Sequence, residues 1–528
     1  MRRFLRALVL AAALVPVATF AEAKTFRYAF QGDLNALDPH TLNESFTLGA
    51  LANVYEGLTK RDKDLKIVPG LAERWEMVNP TTWRFTLRKG VTFHDGNTFS
   101  ADDVIFSFER LRAPTVTMRN KIDLSTVITK IDDFTVEFVT KAPNPILHAE
   151  FDTLYMLSKK WAVANGAEAA QSMVASGLNA WALKANGTGP FTIESHQPGV
   201  KTVYKVFPGW WDKPQHNLTE VIFQTVKSDA TRVAALLSGE IDMMEPVPVQ
   251  DIERLKTSPG VDVLTGPEVR TIFLNMDSMR DELLYSSVKG KNPFKDARVR
   301  KAIYQAIDME AIKSKVMRGM ATPSALLISP LLYARSGEFK RHAYDPAAAK
   351  KLLTEAGYPG GFEVRLDCPN DRYVNDEAIC QAVGAMLARI DVKVQVHAQP
   401  KAQYFARAGS QGGYDHSFAM LGWTPGSGDA HNVIANLANC RDAKGNGGIN
   451  NLGGWCNARV DELTKLILSE ADTKKRDDLI AEAFKIIHDE VGVLPLHQQA
   501  LAWGVSKKID IVQRADNQIL FYGVRMKD

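Results

Sequence analysis

Hydrophobic positions along the chain switch repeatedly between two periods. Trp83, Phe85 and Leu87 alternate with polar neighbours, the period of two expected of a half-buried strand. Ser100-Ala101-Asp102-Asp103 then sets a hydroxyl and a carboxylate where a starting helix needs acceptors for its free N–H groups. Val104, Ile105, Phe108 and Leu111 follow on one face. Further strands are predicted over 133–139, 202–207, 220–226 and 271–276. A helix is predicted over 229–238, stopping at Gly239, where a left-handed turn costs glycine little. The second half is more regular. Phe362, Val364, Leu366 and Cys368 alternate as a strand, Ile379, Val383, Met386, Leu387 and Ile390 mark a helix face, and Val392, Val394 and Val396 resume the alternation. This is a βαβ unit, whose right-handed crossover makes its two strands parallel. A strand over 414–421 and helices over 458–469 and 473–489 follow. No internal repeat or long Pro/Ser linker interrupts the α/β pattern.

The start of the chain reads differently. Met1-Arg2-Arg3, an apolar stretch from Ala7 to Phe20 and Ala21-Glu22-Ala23 form the three parts of a secretory signal peptide, with cleavage predicted before Lys24. The apolar run is short for a membrane span, Pro16 interrupts it, and no Cys follows it for lipid anchoring. An exported, soluble, non-anchored product is expected. Removing residues 1–23 takes away Arg2, Arg3, Arg6 and Glu22, which brings 64 basic and 61 acidic residues down to 61 and 60. A nearly neutral chain of this length gives no electrostatic case for nucleic acid and calls for more than one domain. Export makes disulfides plausible for Cys368, Cys380, Cys440 and Cys456. Three pairings are formally possible, and proximity favours 368–380 with 440–456.

In open α/β sheets, ligands collect beyond the carboxyl ends of strands. Two loops occupy that position: Pro369-Asn370-Asp371-Arg372-Tyr373 and Gly422-Trp423-Thr424-Pro425-Gly426-Ser427-Gly428-Asp429. Arg372 offers a guanidinium fork for a carboxylate or phosphate, and Trp423 a broad apolar face. Arg372 reads equally well as a structural ion-pair partner, and Trp423 as a core residue. Signatures of catalysis are poor, with no phosphate-cradling loop, no H-E-x-x-H and no G-x-S-x-G. His94-Asp95-Gly96 reads as a turn, and Trp210-Trp211 as packing beneath one. No catalytic residue, metal or cofactor is assigned.

Several segments, in order, carry a resemblance. They are Leu71-Ala72-Glu73-Arg74-Trp75, Trp83 through Val91, Phe93-His94-Asp95-Gly96 and Ser100-Ala101-Asp102-Asp103-Val104. Gly187-Thr188-Gly189-Pro190-Phe191, Gly239-Glu240-Ile241-Asp242, Pro293-Phe294 with Arg298-Val299-Arg300-Lys301-Ala302-Ile303, and Ala356-Gly357-Tyr358-Pro359 continue it. Together they resemble the large periplasmic solute-binding proteins of ABC importers, the dipeptide/oligopeptide-binding family (bacterial extracellular solute-binding family 5).

The resemblance implies a two-lobed periplasmic-binding-protein (Venus-flytrap) fold. Lobe I would comprise 24–276 plus 498–528, with an extra subdomain over 66–185, and lobe II would comprise 277–497. Hinge crossings are expected near 274–277 and 494–499. Such proteins close around a peptide or peptide-like solute and deliver it to the transmembrane subunits of a permease as monomers. Relatives that bind dipeptides place a carboxylate shortly after Gly-Trp to meet the peptide's α-amino group. Here Gly426 stands at that position, and Asp429 is the nearest replacement. That departure motivates a non-peptide solute (an opine, a glutathione-like thiol or a metal chelate) as the alternative, with a secreted hydrolase a more distant one. Arg372 lies where some relatives hold the ligand's carboxylate, with Tyr373, Trp423 and Thr424 beside it. Tyr28, Asn53 and Tyr55 are the candidates from lobe I. Cys440 and Cys456 match a disulfide position of those relatives, whereas Cys368 and Cys380 rest on proximity alone.

Overall fold

The computed structural model describes residues 24–527, except 35, 42, 114, 115, 117, 172–176 and 443–446. The expected signal peptide, residues 1–23, lies outside the described residues. An 11-stranded sheet runs through the molecule. In spatial order its strands are Val392–Gln399, Phe362–Pro369, Phe418–Trp423, Val261–Met276, Leu494–Ser506, Met243–Glu245, Thr25–Phe30, Glu220–Thr225, Lys201–Val206 and Phe191–Gln197, with Ala321–Pro323 added on Leu494–Ser506. The predicted βαβ unit forms as expected: Phe362–Pro369 and Val392–Gln399 pair in parallel around the helix Asp376–Leu387. The helix Asp229–Ser238 ends on Gly239 at φ 77°, and the helix Ala101–Leu111 starts with the capping box at Ser100 and Asp103. Gly96 turns at φ 85°, so His94-Asp95-Gly96 is a turn.

Two strands join the lobes. Val261–Met276 and Leu494–Ser506 run antiparallel over almost their whole length. Pro267 faces Ala500 and Thr271 faces Gln498, so three residues on one strand oppose Gln499 alone on the other. Such an irregularity bends a ladder and leaves backbone groups to find other partners. Val269 N–H donates to the carbonyl of Ala515 at 2.8 Å. A second register shift lies between Ile272 and Phe273, which face His497 and Pro495, so both irregularities fall opposite 494–499 on the partner strand, one of the two expected crossings.

Because successive residues of a strand face opposite ways, each lobe is packed on both faces of the sheet. Ile272, Leu274 and Met276 enter one core of lobe II with the βαβ helix, and Phe273 enters the other with the helices Ala430–Leu437, Ala458–Ser469 and Thr473–Asp489. In lobe I, Phe26 and Tyr28 face a large core, while Ala29 faces the helix Asp229–Ser238. A separate four-stranded antiparallel sheet, Ala72–Asn79, Thr82–Leu87, Thr135–Val139 and Val127–Asp132, lies within the segment expected as an added subdomain. Its Trp83, Phe85 and Phe138 share one core with Phe26 and Phe521, so it is built onto lobe I.

The strand predicted over 414–421 instead spans Phe418–Trp423. Tyr414 takes a positive φ of 55° in the turn before it. At the other end Gly422 stays in the ladder because the Tyr373 ring and Ile272 pack where a side chain would stand: an added Cβ would lie 2.6 and 2.7 Å from them.

Candidate functional site

Both predicted loops open into the cleft between the lobes and touch each other, Tyr373 donating its hydroxyl to the Gly422 carbonyl at 3.4 Å. The first loop is held by Asp376, whose carboxylate receives the amides of Arg372 and Tyr373 at 3.0 Å each. Burial pushes the Asp376 carboxyl up to about 6 against those amide bonds. Arg372 reaches across the cleft to Glu44 of lobe I, Nη2 to Oε1 3.1 Å. Glu44 caps the helix Ser45–Leu51 by accepting from Thr47 N–H at 2.9 Å. Burial would raise its carboxyl, but Arg372, Lys401 and the helix N–H groups outweigh it and hold the group at about 2. Gln31 of lobe I also donates to the Asp371 carbonyl at 3.2 Å.

Beneath this pair is a recess of about 570 Å³ including its mouth. Phe30, Gln31, Ser45, Phe46, Glu245 and Pro246 line it from lobe I, Arg372 and Val374 from lobe II, and Arg270 with Gln499–Ala502 from the joining strands. The strand irregularity supplies its floor. Arg270 donates to Glu268 at 2.8 Å, and Gln499 donates to the other oxygen of Glu268 at 2.8 Å while accepting from Val374 N–H at 3.0 Å. Burial, with Glu268 nearby, pushes the Glu245 carboxyl up to about 7 against Asn517, Arg270 and Arg232. A second recess of about 600 Å³ lies alongside in lobe I, between Tyr55, Arg61, Asp152, Trp210 and Tyr522. Asn517 borders the first recess and Gln518 the second.

The second loop meets lobe I farther along. Arg61 pairs with Asp152 at 2.6 Å and donates to the Ser427 carbonyl at 2.6 Å. The Lys121 ammonium stands 3.2 Å from where a Cβ on Gly426 would be. Glu150 is buried beside it, its carboxyl pushed up to about 7, first by burial and then by Asp152 and Asp429, with Lys121 and the Ser427 hydroxyl opposing.

The remaining candidates divide clearly. Asp429 is committed to structure: it caps the helix Ala430–Leu437 through His431 N–H at 2.7 Å and clasps both Arg476 nitrogens at 2.7 and 2.9 Å. Arg476 holds its carboxyl below the usual range despite burial. Trp423 donates to Asn432 at 3.0 Å and packs against the second core of lobe II. Thr424 leaves a buried hydroxyl unpartnered among the described residues. Tyr55 borders the second recess and donates to the Leu37 carbonyl at 3.0 Å. Asn53 ties the C-terminal segment down, donating to Ile519 O at 3.0 Å and accepting from Phe521 N–H at 2.7 Å. Tyr28 lies inside the lobe I core among Phe26, Phe223 and Phe521. Trp210 and Trp211 both donate to half-buried Glu56. Sequence reasoning missed Glu44, Arg61, Lys121, Glu150, Glu245, Glu268 and Arg270. Charged residues are ordinarily exposed, so no pattern marks those that a cleft will bury.

A two-lobed α/β body with a charged cleft crossed by two strands is the frame of a solute clamp. The model of bacterial extracellular solute-binding proteins, family 5 (Middle), matches residues 66–445. The chain belongs to this family. A dipeptide-binding protein of Escherichia coli K12 is 28% identical over 522 residues, 93% of this chain and 92% of that protein. Among solved structures, the family 5 chain superimposes on a periplasmic binding protein, DppA, of Helicobacter pylori in complex with the peptide STSA. The TM-score is 0.81 at 23% identity, covering 96% of this chain and 98% of that one. It also superimposes on AgaA of A. tumefacien R10 in complex with agropinic acid, TM-score 0.80 at 22% identity, covering 96% and 99%. Both expected disulfides are formed, Cys440–Cys456, which the resemblance implied, and Cys368–Cys380, which rested on proximity alone. Among the described residues, no helix is long and apolar enough to cross a membrane.

Proposed function

We propose that this protein is the exported receptor of an ABC importer, capturing a peptide or peptide-like amino compound between its lobes and presenting the closed form to a membrane permease. The observation that carries this reading is the recess under the Arg372–Glu44 pair, lined from both lobes and from the strands that join them. A solute there touches both lobes, so its binding energy favours the closed arrangement over the open one. Arg372 supplies a fork for the solute's carboxylate, and Phe30 and Phe46 supply apolar surface. The protein binds and releases its solute unchanged, reaches the periplasm through residues 1–23 and works as a monomer. Calorimetry on ligand-stripped protein tests the reading: dipeptides or tripeptides give heat and raise Tm. If none does, the peptide reading is abandoned.

A second reading, a non-peptide solute, is favoured by one observation. Gly426 carries no acid, and the Lys121 ammonium lies beside it. Agropinic acid and glutathione belong in the same calorimetric series, and binding of either without peptide binding selects this reading.

A further inference from the structure

The seam between the Thr424–Gly428 loop of lobe II and the subdomain of lobe I contains three polar atoms without hydrogen-bond partners among the described residues. They are Oε2 of Glu150, Oγ of Ser427 and Oγ1 of Thr424. Glu150 is 8% exposed and Ser427 3%. Buried polar groups are almost always paired, because each one left unpaired costs about 1–3 kcal/mol. Here the orphans come from both sides of a cleft that opens and closes, and a solute group between them would satisfy all three.

The surrounding charges select the chemistry of that group. Glu150 is faced by Lys121, Asp152 and Asp429, and the Ser427 hydroxyl across the seam stands close enough to favour its carboxylate form. The guanidiniums nearby are engaged, Arg61 by Asp152 and the Ser427 carbonyl, and Arg476 by Asp429. The Lys121 ammonium donates to the Thr153 hydroxyl. Asp152 and Asp429 are held in turn by those guanidiniums, which leaves Glu150 as the carboxyl of the seam without an arginine partner among the described residues, with the Lys121 ammonium beside it. A protonated amine has three donors and no acceptor, matching a carboxylate and two hydroxyls. We infer that Glu150, with Ser427 and Thr424 across the cleft, forms a subsite that receives the protonated amino group of the solute. The assignment rests on the cleft being the solute site, and it supplies from lobe I the negative charge that Gly426 lacks in lobe II.

A proton is released as a consequence. Burial pushes the Glu150 carboxyl up to about 7, so about half of it carries a proton near neutrality. An arriving ammonium favours the carboxylate, so the carboxyl proton passes to the buffer as the N–H···O bonds form. Affinity for an amine-bearing solute therefore rises from about pH 6 to about pH 8 as the ionised fraction of Glu150 grows.

Three probes test this on the mature protein: Ala-Phe, N-acetyl-Ala-Phe and glycinamide, which has an ammonium but no carboxylate. Calorimetry of the unaltered protein in buffers of different ionisation enthalpy should show proton release near pH 7 with Ala-Phe. N-acetyl-Ala-Phe should bind at least tenfold more weakly and release none. Glycinamide should raise Tm in the parent and not in Glu150→Gln, whose circular dichroism and apo Tm report that it is folded. In Glu150→Gln the preference for the free amine should fall to within twofold. Unchanged amine preference in that variant, or glycinamide stabilising both proteins or neither, overturns the subsite. If Ala-Phe gives no heat while glycinamide stabilises only the parent, the subsite stands and the peptide reading falls.

Discussion

Asp429 shows how a residue's chemistry depends on what the fold brings to it. Its position near Gly426 made it the nearest stand-in for the missing acid, yet Arg476, 47 positions away, takes both of its oxygens. Asp429→Ala removes a helix cap and leaves a guanidinium unpaired, so it should cost about 3 kcal/mol of stability. Solute affinity should change less than threefold. Parallel thermal melts and calorimetry check this, and a large affinity loss with unchanged Tm would return Asp429 to the ligand. Glu150 reverses the case. Nothing in His148-Ala149-Glu150-Phe151 marks an acid for burial, whereas the structure leaves its Oε2 unpaired at the lobe seam.

At the scale of elements, most of the pattern was legible because alternation and helical periodicity report burial directly. The βαβ unit, both late helices and the Ser100 capping box are of this kind. Errors cluster where long-range packing overrides local preference. Gly422-Trp423 reads as a loop but continues a strand under the Tyr373 ring. The break at Pro267–Thr271 is set by a partner strand more than 200 residues away. The disulfides belong to this scale as well. Cys368–Cys380 ties a strand to the helix that follows it, and Cys440–Cys456 closes a loop after the helix Ala430–Leu437. For loops of 12 and 16 residues, replacing either pair by alanines should cost about 3 kcal/mol in denaturant melts. Mass mapping of non-reduced peptides should recover both links, and a free thiol at any of the four positions contradicts the assignment.

For the whole molecule, the central question is what holds the lobes together. Glu44–Arg372, Gln31–Asp371 and Arg61–Ser427 all bridge the cleft. Arg372→Ala removes one bridge and the carboxylate fork together. It should weaken an anionic solute by about 2–5 kcal/mol and enlarge the solute-free molecule in small-angle scattering. Unchanged affinity and radius would remove Arg372 from both roles. Acid should act in the same direction. Glu44 has a depressed folded pKa of about 2 against an ordinary 4.5, so its contribution is present above about pH 4.5 and is lost as pH falls towards 2.

The chain by itself determined the α/β alternation, the near-neutral charge after residue 23 and the family, because periodicity, composition and ordered motifs are local properties. It also placed the two loops at the carboxyl ends of their strands. Only the tertiary structure decided which charges the cleft buries and which pair across it. Glu44 and Arg372, or Lys121 and Gly426, are more than 300 residues apart and meet only when two lobes face each other. Burial and pairing between distant segments leave no periodic trace in the sequence, although they set the chemistry that a solute meets.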